Sequence, residues 1–234
     1  MSTTDNNRFL RLWHEVEFDG IPFEICDISE TDDAGNRWYP FSKGGDYRKW
    51  EGNREHVVNW WHNGSEIREA TKDAAGGRIV SPEFYFKPGI TWSGISSSKP
   101  SMRMIHNAIF GSGGKGLFTK GEDHFYLGYL NSKIALYCLG LLSPTLNYEA
   151  GHIGSLPITT SSNTKIESSK RIPRLIDLSK SDWDSYETSW DFSSLPLLNP
   201  DYRQSTLKAT YQKLRDHWRE MTLEMQRLEE ENNR

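Results

Sequence analysis

The chain has 234 residues, 35% of them hydrophobic and 26% charged, with a formal net charge of −4 at pH 7. That length bounds it to one sizeable domain with an appendage or to two small domains, and 9 Trp, 10 Tyr and 10 Phe supply the core that its aliphatic content does not. Cys26 and Cys138 form no CxxC pair, which argues against a disulfide framework and for a reducing, cytoplasmic setting; the polar start Met1-Ser2-Thr3-Thr4-Asp5-Asn6-Asn7 has no secretory pattern.

In chain order, residues 8–16 carry Phe9, Leu12, Trp13 and Val16 at helical spacing and predict a short opening helix. Ile21, Phe23 and Ile25 then alternate as a strand would, inside an acidic stretch that runs to Gly35. In residues 37–61, Trp38, Tyr39, Phe41, Tyr47, Trp50, Trp60 and Trp61 interleave with Arg37, Lys43, Arg48, Lys49 and Arg54. Asn63-Gly64 signals a turn and Ser65-Glu66-Ile67-Arg68-Glu69-Ala70 a short helix. Strands are predicted at Phe84-Tyr85-Phe86, Ile90-Thr91-Trp92, Met102-Arg103-Met104-Ile105 and Ile109-Phe110. Residues 125–142 form the longest apolar stretch, which Asn131-Ser132-Lys133 interrupts; it reads as a buried helix and not as a membrane span. The Ser/Thr-rich run 159–169 reads as a linker. Leu207, Tyr211, Leu214, Trp218, Met221, Met225 and Leu228 then recur at alternating four- and three-residue steps, predicting a helix that packs on another helix.

Charge is uneven along the chain. Residues 1–35 hold 2 Lys/Arg against 9 Asp/Glu, residues 36–160 hold 14 against 10, and residues 161–234 hold 12 against 13. A basic, aromatic-rich middle is compatible with a DNA-contacting face. Gly111-Ser112-Gly113-Gly114-Lys115-Gly116 matches GxGxxG, but Leu117-Phe118-Thr119-Lys120-Gly121 does not open a helix, so a flexible hairpin tip is expected instead of a dinucleotide cradle. Asn199-Pro200-Asp201-Tyr202 is similar to the Asn/Asp-Pro-Pro-Tyr site of amino-methyltransferases but lacks the second proline; it reads as a helix entry, with Asp201 or Ser205 capping the last helix. The histidines show no metal spacing, His56 and His62 being the closest pair, and no catalytic triad or nuclease pattern stands out. The best functional candidate is the run 43–54. Gly44 and Gly45 allow close backbone approach, Arg48 and Lys49 supply cations, and Tyr47 and Trp50 supply stacking faces. The same run reads equally as a solvated turn beside an aromatic core cluster.

Several runs in order resemble one family. Thr4-x-Asn6-x-Arg8-Phe9-Leu10-Arg11-Leu12-Trp13, Tyr39-Pro40-Phe41-Ser42-Lys43-Gly44-Gly45-Asp46-Tyr47-Arg48-Lys49-Trp50, Gly89-Ile90-Thr91-Trp92-Ser93 and Tyr126-Leu127-Gly128-Tyr129-Leu130-Asn131-Ser132-Lys133 resemble PglX-type adenine-specific DNA methyltransferases. These serve BREX phage-defence systems and are similar to type IIG restriction-modification enzymes. Asn147-Tyr148 through Ile153 to Leu156-Pro157-Ile158, and Lys180-Ser181-Asp182-Trp183-Asp184 with Glu187-Thr188-Ser189-Trp190-Asp191-Phe192, extend the resemblance over nearly the whole chain. Glu51 stands where the family usually has tyrosine, and Thr4-Asp5 replaces its threonine–glycine pair.

The resemblance implies an α+β, mixed-strand target-recognition domain with a buried helix over residues 1–160, a linker and connecting segment over 161–203, and a long C-terminal amphipathic helix over 204–234. The family's catalytic domain, with its S-adenosylmethionine site, would precede residue 1, so no cofactor, metal or catalytic residue is expected within this chain and none of its own activity. Double-stranded DNA is the implied partner, with a catalytic methyltransferase domain or other defence proteins beside it. Lys43, Arg48 and Lys49 are expected to contact phosphates, Trp50 to stack, and Ser93 and Arg103 to read bases. Two rivals stand: an interaction module that docks on a separate catalytic subunit, and an inactive gene fragment.

Overall fold

The computed structural model describes residues 1–31, 35–73, 78–96, 99–159 and 161–234, so Asp32 and Asp33 of the acidic stretch and Thr160 of the Ser/Thr-rich run lie outside the described residues. The opening helix is one turn long. Helix α1 (Asn6–Phe9) is capped by Asp5, whose side chain accepts from the Arg8 N–H, and gives way to β1 (Leu10–Leu12). The helix predicted over 8–16 stops there because Leu10, Arg11 and Leu12 pair antiparallel with β3 (His56–Asn59), a ladder that buries Phe9 and Leu10. Ile21, Phe23 and Ile25 do not form a strand either. Ile21 and Ile25 are buried in irregular backbone, and Phe23 lies between the rings of Phe18 and Trp190.

The first sheet has the order β1-β3-β2-β6, with β2 (Trp38–Ser42) antiparallel to β3 and parallel to β6 (Ile109–Phe110). Pro40 has no N–H to give a ladder, and β6 pairs only with Phe41 and Ser42, just beyond it. Within α2 (Trp61–Thr71) the backbone turns left-handed at His62, Asn63 and Gly64, as the Asn-Gly signal predicts, and Ile67 beyond that turn packs into the core with Tyr39, Phe41 and Val58 of this sheet. A Cβ on Gly64 would meet the Trp60 ring at 2.7 Å. Phe84-Tyr85-Phe86 is not a strand. Pro82 starts a single turn (Pro82–Phe84), and Tyr85 and Phe86 then drop into the core with Phe9, Tyr39, Val58, Trp60 and Ile67.

The second sheet has the order β5-β4-β7, all antiparallel: β4 (Gly89–Ser93), β5 (Met102–Ile105) and β7 (Gly114–Leu117). The helix predicted over 125–142 is two helices, α3 (Asp123–Leu130) and α4 (Lys133–Leu142). The break has a reason. The Asn131 side chain exchanges two hydrogen bonds with Met102, accepting from its N–H at 3.0 Å and donating to its carbonyl at 2.9 Å, while Ser132 caps α4. Helix α3 is buried through Phe125, Leu127 and Leu130, but α4 leaves Ile134, Tyr137 and Leu141 in solvent.

After α5 (Ala150–Gly154), the Ser/Thr-rich run is helical from Ser162 onward as the first turns of α6 (Ser162–Trp183), with Ser161 as its cap. The last helix, α7 (Leu207–Asn232), is capped by Thr206, not by Asp201 or Ser205; Asn199-Pro200-Asp201-Tyr202 forms a separate turn ahead of it. Leu228 of α7 joins Ile172, Leu175 and Leu178 of α6 in a second core with Trp50, Trp92 and the α3 leucines. The end of α7 docks at the α3–α4 junction, where Asn232 donates to the Gly128 carbonyl at 2.8 Å and Asn233 accepts from the Lys133 N–H at 2.6 Å. The architecture is mixed α and β, with two small sheets and a long C-terminal helix. No helix among the described residues is long and apolar enough to cross a membrane.

Candidate nucleic-acid interface

The run 43–54 leaves the first sheet at Ser42 and returns to it at His56, and in between it crosses to the second. Trp50 makes that crossing: its N–H donates to the Met102 carbonyl and its carbonyl accepts from the Met104 N–H, both at 2.9 Å. Trp50 adopts φ +70°, a conformation that costs a bulky residue about 1–3 kcal/mol and survives only where the surroundings fix it. Its indole is 1% exposed and donates to Glu229 of α7 at 2.8 Å.

At the start of the run the chain presses backbone on backbone. A Cβ on Gly44 would lie 2.7 Å from the Gly113 carbonyl oxygen, one on Gly113 2.5 Å from that of Lys43, and one on Gly114 2.6 Å from that of Ser42. The GxGxxG match is therefore neither a nucleotide cradle nor a flexible hairpin tip. It spans the connection from β6 to β7 and the start of β7, and it interlocks with the Lys43-Gly44-Gly45 turn, where only glycine fits on both sides. Ser93 ties the junction further, its hydroxyl donating to the Gly45 carbonyl at 2.7 Å. Lys43 stands exposed at this junction, its Nζ 3.4 Å from Nε2 of His56. Burial, with Lys43 second, brings the His56 pKa down to about 4, so the imidazole is neutral and accepts from the ammonium.

The other cations of the run face inward. The Arg48 guanidinium donates to the Glu51 carbonyl (2.8 Å), the Ser179 carbonyl (2.7 Å) and the Asp182 carboxylate (2.9 Å), and lies over the Trp183 ring. Lys49 pairs with Glu229 at 2.9 Å, so one α7 carboxylate holds both Lys49 and the Trp50 indole. Arg103 is 1% exposed, beneath the run. Glu51 is also buried. Burial pushes its carboxyl pKa up, while Arg54, 2.7 Å away, and the Gly52 N–H pull against that.

Of the six residues read as DNA contacts, the fold thus brings Lys43 and Ser93 to the glycine junction. It places Arg48, Lys49 and Trp50 against α6 and α7, and Arg103 inside. Between the run and the two helices lies a cleft of about 600 Å³, whose exposed aromatics are Tyr47, Tyr186 and Trp218. Sequence reasoning missed Tyr186 and Glu229. Glu229 sits 180 residues from Lys49, and no local pattern pairs them. Among the described residues, no cluster of His, Cys, Asp and Glu could hold a metal.

No family model matches the chain. Over 246 aligned residues that take in its whole length, it is 34% identical to the adenine-specific methyltransferase PglX of Lacticaseibacillus casei (strain Zhang). Over 213 residues, 89% of the chain, it is 32% identical to the adenine-specific methyltransferase BrxX of Escherichia coli O9:H4 (strain HS). The chain is homologous to a section of these methyltransferases. It spans about a fifth of PglX and 16% of BrxX.

Proposed function

We propose that the chain is the DNA target-recognition part of an adenine-specific methyltransferase of the BREX type. Methyl transfer from S-adenosylmethionine then belongs to the larger share of the relatives that it does not span. The observation that carries this reading is homology to two adenine-specific methyltransferases, along the entire chain to one and along 89% of it to the other. An enzyme that modifies one base must select a sequence and extrude that base, and phosphate anchoring with base-edge contact is the work of a recognition region. The exposed Lys43 offers the phosphate contact, and the glycine junction packed backbone on backbone beside it fixes where that side chain stands. In this reading Lys43 touches DNA. Arg48, Lys49 and Trp50 act one step back, holding the run on α6 and α7, while Ser93 positions Gly45 and Arg103 supports the run from beneath.

The test is duplex-DNA binding by fluorescence anisotropy across 50–200 mM salt, where each phosphate contact contributes about 0.9 to the slope of log K against log salt. Lys43→Ala is expected to reduce the slope by about one unit with an unchanged circular dichroism spectrum. An unchanged slope removes Lys43 from the interface, and no salt-dependent binding by the parent chain removes the DNA reading. The exposed Leu207, Tyr211 and Trp218 of α7 favour a second reading, a module that docks on another protein. Complex formation that Trp218→Glu abolishes, without DNA, would support it.

A further inference from the structure

A pocket of about 20 Å³ lies between the two sheets beneath the 43–54 run, with Ser42, Thr91, Arg54, Arg103, His106 and Trp190 among its walls. Thr91 and Arg103 are directly opposite on β4 and β5, so both side chains leave the sheet on the same face. Arg103 is almost wholly buried, and among the described residues neither Nη1 nor Nη2 has a hydrogen-bond partner. Neither nearby hydroxyl accepts from these atoms: Thr91 donates to the Lys115 carbonyl at 2.8 Å and lies 3.3 Å from the Ser42 hydroxyl.

Glu51 is the carboxylate that acts on Arg103, yet its oxygens are already held by Arg54 at 2.7 and 3.1 Å and by the Gly52 N–H at 3.0 Å. His106 accepts from Arg54 and is uncharged, because burial with Arg54 beside it holds its pKa near 4. The other charges in range are engaged outside the pocket, Arg48 with Asp182, and Lys180 with both Asp184 and Asp191. In contact, two guanidiniums therefore have one carboxylate, Arg54 holds it, and among the described residues Arg103 has no ion-pair partner at its Nη atoms. A buried charge in that state is costly, and arginine does not escape by losing its proton at neutral pH. A water could satisfy the N–H groups but would leave the charge.

We propose that this pocket binds one small monovalent anion of chloride size on Arg103. The volume admits about one water-sized body, which favours a halide over sulfate or phosphate. Such an ion would cross-brace the sheets under the segment that presents Lys43.

The test compares thermal melting of the full chain in sodium chloride and in sodium gluconate at equal ionic strength, gluconate being too large to enter. The melting temperature is expected to rise saturably as chloride replaces gluconate, because only the folded state carries the site. Arg103→Leu is expected to lose that increment. Should Arg103→Leu fail to fold, crystals of the parent chain soaked in bromide decide, with an anomalous peak expected within hydrogen-bond reach of the Arg103 guanidinium. Identical melting in the two salts, an increment that survives Arg103→Leu, or a pocket that holds water with no bromide peak would each overturn the proposal.

Discussion

Arg48 ties two segments together: its own turn through the Glu51 carbonyl, and α6 through the Ser179 carbonyl and the Asp182 carboxylate. Removing it takes one donor from each of two carbonyls and the partner from Asp182, and Arg48→Ala is expected to lower stability by about 1–3 kcal/mol. Chemical denaturation measures this, and a loss below about 0.5 kcal/mol would contradict the bracing role. His56 and His106 give the acid behaviour. Both have folded pKa values near 4, against 6.5 as the reference, so below pH 6.5 the unfolded chain takes up protons that the folded chain does not. Stability is therefore fully present above pH 6.5 and falls between about 6.5 and 4. The denaturation midpoint should drop between pH 7 and 5, above the range in which ordinary carboxylates titrate, and less so in His106→Gln. A flat midpoint over that window would show that the two rings protonate freely in the fold. At this scale the candidate run 43–54 was visible in the sequence, but the destination of its side chains was not. Arg48 and Lys49 meet carboxylates 134 and 180 residues away, and composition cannot distinguish a cation bound for a phosphate from one bound for a distant helix.

Among the elements, α7 was the most legible, since its heptad-like spacing survives as a helix with Leu214 and Leu228 buried. Its stripe is unequal, however, and Trp218 remains 39% exposed on the cleft. Leu214→Ala or Leu228→Ala should cost about 2–5 kcal/mol, as for other buried leucines. Trp218→Glu should cost less than about 1 kcal/mol. Thermal and urea denaturation separate these variants, and a large loss in Trp218→Glu alone would mean that α7 packs through its Trp218 face. Helix α6 was misread because Ser162, Thr164, Ser168 and Ser169 look like linker composition, although Ser161 caps the helix and Ile172, Leu175 and Leu178 form its buried face. The break between α3 and α4 was hidden for a related reason. Asn131 reads as a blemish in an apolar run, whereas in the fold it serves as hydrogen-bonding partner to the backbone of Met102. Sheet pairing was the least legible, because β1 is three residues long and only its ladder with β3 makes it a strand.

On the scale of the whole molecule, an aromatic-rich core and a largely aliphatic one are joined by the 43–54 run, which anchors in the second sheet through Trp50. The family relationship was legible as ordered motifs, and homology over the full chain agrees with it. The physical reason for some of those motifs came only from the fold. Lys43-Gly44-Gly45 is constrained by Gly113 and Gly114 across the junction, and Asn131-Ser132 by Met102 and the start of α4. The central proposal is that this chain chooses the DNA sequence while another part of the enzyme transfers the methyl group. The most direct measurement replaces the homologous fifth of the Lacticaseibacillus PglX by this chain and maps methylated adenines by sequencing. Methylation is expected at a new sequence, different from that of the parent enzyme. Methylation by the chimera at the parent's own sequence would show that target choice lies elsewhere in the protein and would contradict that proposal.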